Sequence, residues 1–146
     1  MITFIVPGRP QGKERPRTVR NHATGRVMTY TPKHTRDYET AIWAAYNAAG
    51  GRHMGDVPVE MIVEAVYPIP KSVRKDVREK MLTGELLPTR VKPDTDNVLK
   101  CAADALNDVA YHDDTQIIKA TITKRYGAEP MIRVTIKEYK EENPHE

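Results

Sequence analysis

Cysteine is almost absent: Cys101 stands alone, so no intrachain disulfide can form and no cysteine-based metal knuckle can be built. It sits among alanines in a stretch expected to be helical, where it reads as a small core residue. Long apolar runs are missing too, none approaching the roughly 18 residues of a membrane span. The opening, MITFIVPGRPQGK, has too short an apolar stretch, with no basic residue ahead of it, to be a secretory signal. The chain is therefore expected to be cytoplasmic and mature from Met1, with no membrane partner. The five histidines show no HxH or HExxH spacing, which gives no zinc signal. P-loop, GxGxxG and GxSxG patterns are lacking, which argues against nucleotide cofactors, dinucleotide chemistry and serine hydrolysis. There is no internal repeat or linker, and the 146 residues fit one domain, expected over 1–139 with a polar tail at 140–146.

Acidic residues are scarce at one end. Residues 1–36 carry Arg9, Lys13, Arg15, Arg17, Arg20, Arg26, Lys33 and Arg36 against the single acid Glu14, although the whole chain is only +3. A basic arm of this kind suits a polyanion, while a solvated loop rich in arginine would have the same composition. The acids gather instead at 94–114, and the two clusters together are what a metal-dependent enzyme acting on phosphodiesters needs.

The patterning predicts an α+β fold, a mixed β-sheet with helices packed on it. ITFIVPG reads as a first strand, RPQGKERPR as an extended arm broken by prolines, and TVRNHATGRVMTY as a hairpin turning at Asn21 to Gly25. TPKHTRDYETAIWAAYNAAG predicts a helix capped by Thr31, with Pro32 in the first helical position and a stop at Gly50. VPVEMIVEAVYPIP alternates as a strand expected beside the first, with Val59, Met61, Val63 and Ala65 inward. KSVRKDVREKMLTGE predicts a peripheral charged helix ending at Gly84. A third helix is expected from Asp96 to about Asp108. Two strands follow across a turn at Gly127 to Pro130, with Ile118, Ala120 and Ile122 facing Ile132, Val134 and Ile136.

The chemistry is expected in KPDTDNVLK and HDD. Asp96 directly precedes the third helical run, where an acidic side chain commonly caps a free N–H. A cap does not require Asp94 beside it, nor Asp113 and Asp114 beyond the helix. An extended approach would aim Asp94 and Asp96 the same way, and the short loop VAYH would bring Asp113 or Asp114 back toward them. Carboxylates gathered at one point repel one another unless a cation sits between them, and hard oxygen donors with an incomplete shell suit Mg²⁺. Lys100, one turn after Asp96, either forms a surface ion pair with Asp104, worth about 0.3–0.5 kcal/mol, or sets a cation over the site. His112 reads as a bystander.

These residues carry a resemblance. KPDTDNVLKCAADALNDVAYHDDTQI resembles the central motif of the RusA family of Holliday junction resolvases: Asp-x-Asp-Asn, a lysine four residues on, Asp-Ala-Leu, a short loop, and Asp-Asp-x-Gln-Ile. VPGRPQGKERPR is similar to that family's opening strand and basic arm. The resemblance implies a RusA-like α+β homodimer that nicks two opposed strands of a four-way DNA junction in recombination and repair. It implies Mg²⁺ (with Mn²⁺ as a substitute) held by Asp94, Asp96 and Asp114, with Asp113 beside them, and Lys100 as the essential lysine. Asp94, Asp96, Lys100 and Asp114 would then be catalytic, and Arg9, Lys13, Arg15 and Arg17 would hold DNA. Of the two neighbours, Asp114 is expected to reach the metal. The rival expectations are a nuclease selective for flaps or forks and a branched-DNA-binding module without catalysis.

Overall fold

The computed structural model describes residues 1–141, so residues 142–146 of the expected polar tail lie outside the described residues. Chain order is β1 (Ile2–Pro7), β2 (Arg17–Arg20), β3 (Val27–Tyr30), α1 (Lys33–Ala48), β4 (Val59–Pro68), α2 (Lys75–Thr83), α3 (Thr95–Ala105), a 3-10 turn (Asp114–Gln116), β5 (Ile117–Gly127) and β6 (Met131–Glu138). Four strands form one sheet in the order β1-β6-β4-β5, while β2 and β3 form a separate antiparallel hairpin. The fold is α+β with a mixed sheet, because β4 pairs parallel to β5 and antiparallel to β6.

Alternation along β4 decides which side of the sheet is covered. Val59, Met61, Val63 and Ala65 point to one face and are fully buried with Val134 and Ile136 of β6 and Phe4 and Val6 of β1. Helices α1 and α3 close that face with Tyr38, Ile42 and Tyr46 from one and Val98, Cys101 and Ala102 from the other. Glu60 and Glu64 take the opposite face. There Glu60 lies 3.9 Å from Lys119 and 3.6 Å from Lys137, and Glu64 lies 2.5 Å from Arg125 and 3.1 Å from Arg133. Charge therefore crosses three strands on the open side, as cross-strand pairing favours.

Five expectations are corrected. Strand β4 does not lie beside β1, because β6 is inserted between them. Consecutive β5 and β6 do not pair with each other either: both flank β4, and residues 128–130 bridge the roughly 10 Å between alternate strands. As an edge strand, β5 leaves Ile118 and Ala120 exposed; only Ile122 of the three expected inward residues packs on the core. Helix α1 starts at Lys33 with Pro32 extended before it and no side-chain cap, so Thr31 does not play that part. Helix α3 stops at Ala105 rather than Asp108, where Asp108 takes a left-handed φ of 61° and turns the chain. Among the described residues no helix is long and apolar enough to cross a membrane.

Candidate active site

Helix α3 carries most of the candidate residues, and three contacts fix where it starts. Tyr67 from β4 donates its hydroxyl to the Pro93 carbonyl at 2.5 Å, Lys124 from β5 donates to the Val91 carbonyl at 2.7 Å, and Arg9 donates to the Lys92 carbonyl at 3.2 Å. Asp94 occupies the N-cap position in an extended conformation, and its side chain makes no capping bond. The cap expected of Asp96 is thus displaced by two residues. Asp96 is the second residue of the helix, in the first turn, where the helix dipole favours a negative charge.

That shift changes the directions of the two carboxylates. Two residues apart across the start of a helix, Asp94 and Asp96 diverge instead of alternating in one extended strand. Asp94 lines a recess of about 470 Å³ with Arg9, Lys13, Lys92 and Asn97. Asp96 lines a separate recess of about 270 Å³ with Lys100 and Asp114. The floor of this second recess is apolar, with Leu99, Ala103 and Ile117. Spacing of four puts Asp96, Lys100 and Asp104 along one side of α3, so the helix itself orders acid, base, acid.

The chain returns to this recess through a loop held from inside. Tyr111 is buried and donates its hydroxyl to the Ala103 carbonyl at 2.5 Å, and Asp108 N–H donates to the Tyr111 carbonyl at 2.7 Å. Gln116 then fastens the acidic pair. Its side-chain oxygen accepts from the His112 and Asp113 amides at 2.8 and 3.1 Å, while its amide nitrogen donates to the Gly55 and Val57 carbonyls. Asp113 caps the 3-10 turn and accepts the Thr115 hydroxyl at 2.8 Å. That hydroxyl contact, together with amides of the turn, holds the Asp113 carboxyl below its ordinary value.

Asp114, the next residue, faces the recess. Burial, then a hydrogen bond and repulsion from Asp104, then the neighbouring Asp113, push the Asp114 carboxyl above its ordinary value. Asp104 in turn accepts from Lys13 Nζ at 2.6 Å and lies 3.8 Å from Lys100 Nζ. The expected Lys100–Asp104 pair is therefore present, but the arm lysine is the nearer partner. Lys13 also lies 3.6 Å from Glu39 of α1. Burial works against its charge, yet the Asp104 bond and the two carboxylates outweigh it and raise the Lys13 ammonium above its ordinary value.

The arm crosses the start of α3 closely. Lys13 N–H donates to the Asn97 carbonyl at 3.3 Å, and a Cβ on Gly12 would sit 2.9 Å from both the Asn97 and Pro93 Cβ atoms. A side chain there would lift the arm from the helix. Of the other arm residues, Arg15 is exposed and Arg17 lies 3.6 Å from Glu14.

Asp96, Lys100 and Asp114 are brought together, with Asp104 and Lys13 behind them. Asp94 lines the other recess, and Asp113 adjoins Asp114 without lining this one. Among the described residues no three His, Cys, Asp or Glu side chains stand close enough to hold a metal ion. The donor chemistry nevertheless fits a hard dication: Asp96 and Asp114 offer carboxylate oxygens, and the charge that burial and Asp104 penalise on Asp114 is one a cation would relieve. Tyr67, Lys124 and Gln116 were not legible as parts of the site, and Lys13, expected to hold DNA, was not legible as the partner of Asp104. Only Gln116 left a local trace, in the spacing of DDTQI.

The family model described as Endodeoxyribonuclease RusA matches residues 7–137, from the end of β1 into β6. A relative from Bacillus subtilis strain 168, the uncharacterized protein YqaN, is 36% identical over 140 residues, covering 94% of this chain and 96% of its own. With arm, helix and acidic turn all inside the matched span, the chain belongs to the RusA endodeoxyribonuclease family.

Proposed function

We propose that the protein is a Mg²⁺-dependent endonuclease that resolves Holliday junctions, acting as a homodimer that makes paired symmetric nicks in recombination and repair. The observation that carries this reading is the recess in which Asp96, Lys100 and Asp114 meet, in a chain whose family is one of DNA endonucleases. Asp96 and Asp114 would hold the cation, with Asp113 next to Asp114 and Asp94 in the neighbouring recess. When bound, Mg²⁺ (or Mn²⁺) would supply Lewis-acid charge to the scissile phosphate and ease deprotonation of water.

The remaining work falls to the chain itself. Lys100 is largely exposed at the mouth of the recess and brings a positive charge to a phosphate oxygen, where negative charge grows during displacement. Asp104 keeps Lys100 on that side of α3, and Lys13 keeps Asp104 in place. Arg9, Lys13, Arg15 and Arg17 would form a basic track on the arm, with Arg9, Arg15 and Arg17 exposed to meet phosphates. The apolar floor limits water around the reacting phosphate.

Incubation with a synthetic four-way junction, with Mg²⁺ and with EDTA, tests the proposal. Symmetric nicks in opposed strands, abolished by EDTA and by Asp96→Asn, are expected. Cleavage of flaps or gapped duplex in preference to the junction would replace junction resolution by structure-selective cleavage. Junction binding that neither EDTA nor Asp96→Asn alters, without any cut, would reduce the protein to a binding module.

A further inference from the structure

The β2–β3 hairpin stands apart from the core. No residue of either strand is buried, and the sheet formed by β1, β6, β4 and β5 does not include it. An isolated two-stranded hairpin is marginal in water, so a partner on one face would add what the fold does not supply. Its register sorts the side chains. Arg17 opposes Tyr30 and Val19 opposes Met28, which places these four on one face; Thr18 with Thr29 and Arg20 with Val27 take the other. On the first face Val19, Met28 and Tyr30 are 49%, 65% and 43% exposed, a continuous apolar and aromatic stripe beginning at an arginine.

The tip is ordered without help from the core. Asn21 N–H donates to the Arg26 carbonyl at 2.8 Å, Gly25 N–H donates to the Asn21 carbonyl at 2.7 Å, and the Asn21 side-chain oxygen accepts the Ala23 amide at 2.9 Å. The stripe is therefore presented on a closed, preformed projection. The root is fixed as well, since Lys13 is tied to Asp104 only four residues before β2 begins. The projection begins four residues after Lys13, whose ammonium is bonded to Asp104 beside Lys100.

Charge decides what could cover it. Arg17 stands at the end of the stripe, Arg15 lies at the root of the hairpin, Arg26 at its tip and Arg20 on its other face, and the single acid in residues 1–36, Glu14, is engaged by His34 and Arg17. A second copy would bring the same positive charge, which opposes self-association through this face. Nucleic acid complements both features, with phosphates for the arginines and base faces for the apolar side chains. Minor-groove and architectural proteins use apolar side chains in this way, as wedges between bases.

We propose that the β2–β3 hairpin is a wedge for branched DNA, its arginines on phosphates and Val19, Met28 and Tyr30 against bases opened at the branch point; this rests on the junction-nuclease reading above. The hairpin then helps select branched over linear DNA, because only a branch offers unstacked base faces at low cost.

A four-way junction carrying 2-aminopurine at the branch point, and a second carrying it within an arm, test this in EDTA with the full chain. Binding should raise fluorescence of the branch-point probe and leave the arm probe unchanged. The exposed double variant Val19→Ser with Met28→Ser should lose that rise and about tenfold in junction affinity, while linear-duplex affinity stays within about twofold. Its circular dichroism melt should match that of the unaltered protein; if it does not, Met28→Ser alone serves for the same comparison. A branch-point probe that stays silent on a junction the protein binds and cuts overturns the wedge but spares the nuclease. So does a variant equal to the unaltered protein in both readouts, or one that only turns a dimer into a monomer in sedimentation. Failure of the unaltered protein to bind or cut any branched DNA is the separate failure of the nuclease reading.

Discussion

Lys13 Nζ sits 2.6 Å from Asp104 Oδ2, joining the basic arm to α3 across 91 residues of sequence. The contact makes Lys13 a positioning residue before it is a phosphate ligand, since its charge is already shared between Asp104 and Glu39. Lys13→Met should therefore cost about 1–2 kcal/mol of unfolding free energy, as expected for losing a partly buried charged hydrogen bond. It should also depress cleavage more than duplex binding, because Asp104 loses its anchor beside Lys100 and Asp114. Urea denaturation and a junction-cleavage time course check the two effects. An equal loss of binding and cleavage with unchanged stability would show that Lys13 acts on DNA alone.

Asp114 gives a pH-dependent expectation. Its carboxyl is held above the ordinary value of 3.8 by burial and by Asp104 and Asp113, so the folded chain favours the protonated form. For a raised acid, that contribution to stability is fully present below the unfolded value and is lost as pH rises through the folded one. Metal-free Asp114→Asn should therefore melt higher than the unaltered protein at neutral pH, with the gap closing near pH 4. Adding Mg²⁺ should raise the melting temperature of the unaltered protein more than that of the variant, because binding to the folded state stabilises it. Identical Mg²⁺ responses would remove Asp114 from the proposed metal set.

Tyr67 offers a test of how the start of α3 is held. Its hydroxyl reaches the Pro93 carbonyl, one residue before Asp94, from the middle of the sheet. Tyr67→Phe should cost about 1 kcal/mol, leaving a carbonyl without its donor while the ring still fills the core. The N-terminal turn carrying Asp94 and Asp96 would then be less well fixed, and kcat should fall with little change in junction affinity. Chemical denaturation and single-turnover cleavage report the two quantities separately.

Much of this arrangement was legible in the chain, and what was not has a common cause. The alternation of Val59, Met61, Val63 and Ala65 is local, so it identified the buried face of β4. The strand order was not legible, because β5 and β6 separated by three residues look like a hairpin until β4 is seen between them. Asp96 was read as a cap from its place before the apolar run, and a shift of two residues in the cap position was enough to misdirect Asp94. Lys13, Tyr67 and Lys124 meet the site across 26 to 91 residues, and no spacing rule reaches that far. Asp113 and Asp114 are neighbours of the same type, so only the cap geometry with Thr115 and Gln116 gives them different surroundings.

Salt dependence separates the exposed arginines from the anchored ones. Each phosphate neutralised on duplex DNA contributes about 0.9 to the slope of log affinity against log salt. Arg15 is exposed and near the root of the hairpin, whereas Arg9 donates to the Lys92 carbonyl and Lys13 is held by Asp104. Arg15→Ala should therefore reduce the slope by about one unit and weaken junction and linear duplex alike. Arg9→Ala should change the slope less and lower thermal stability, because its loss frees the carbonyl that helps fix the approach to α3. Fluorescence-anisotropy titrations over a range of NaCl concentrations give both slopes. Equal slopes for Arg15→Ala and the unaltered protein would place the DNA path away from the arm and return Arg15 to the role of a solvated surface charge.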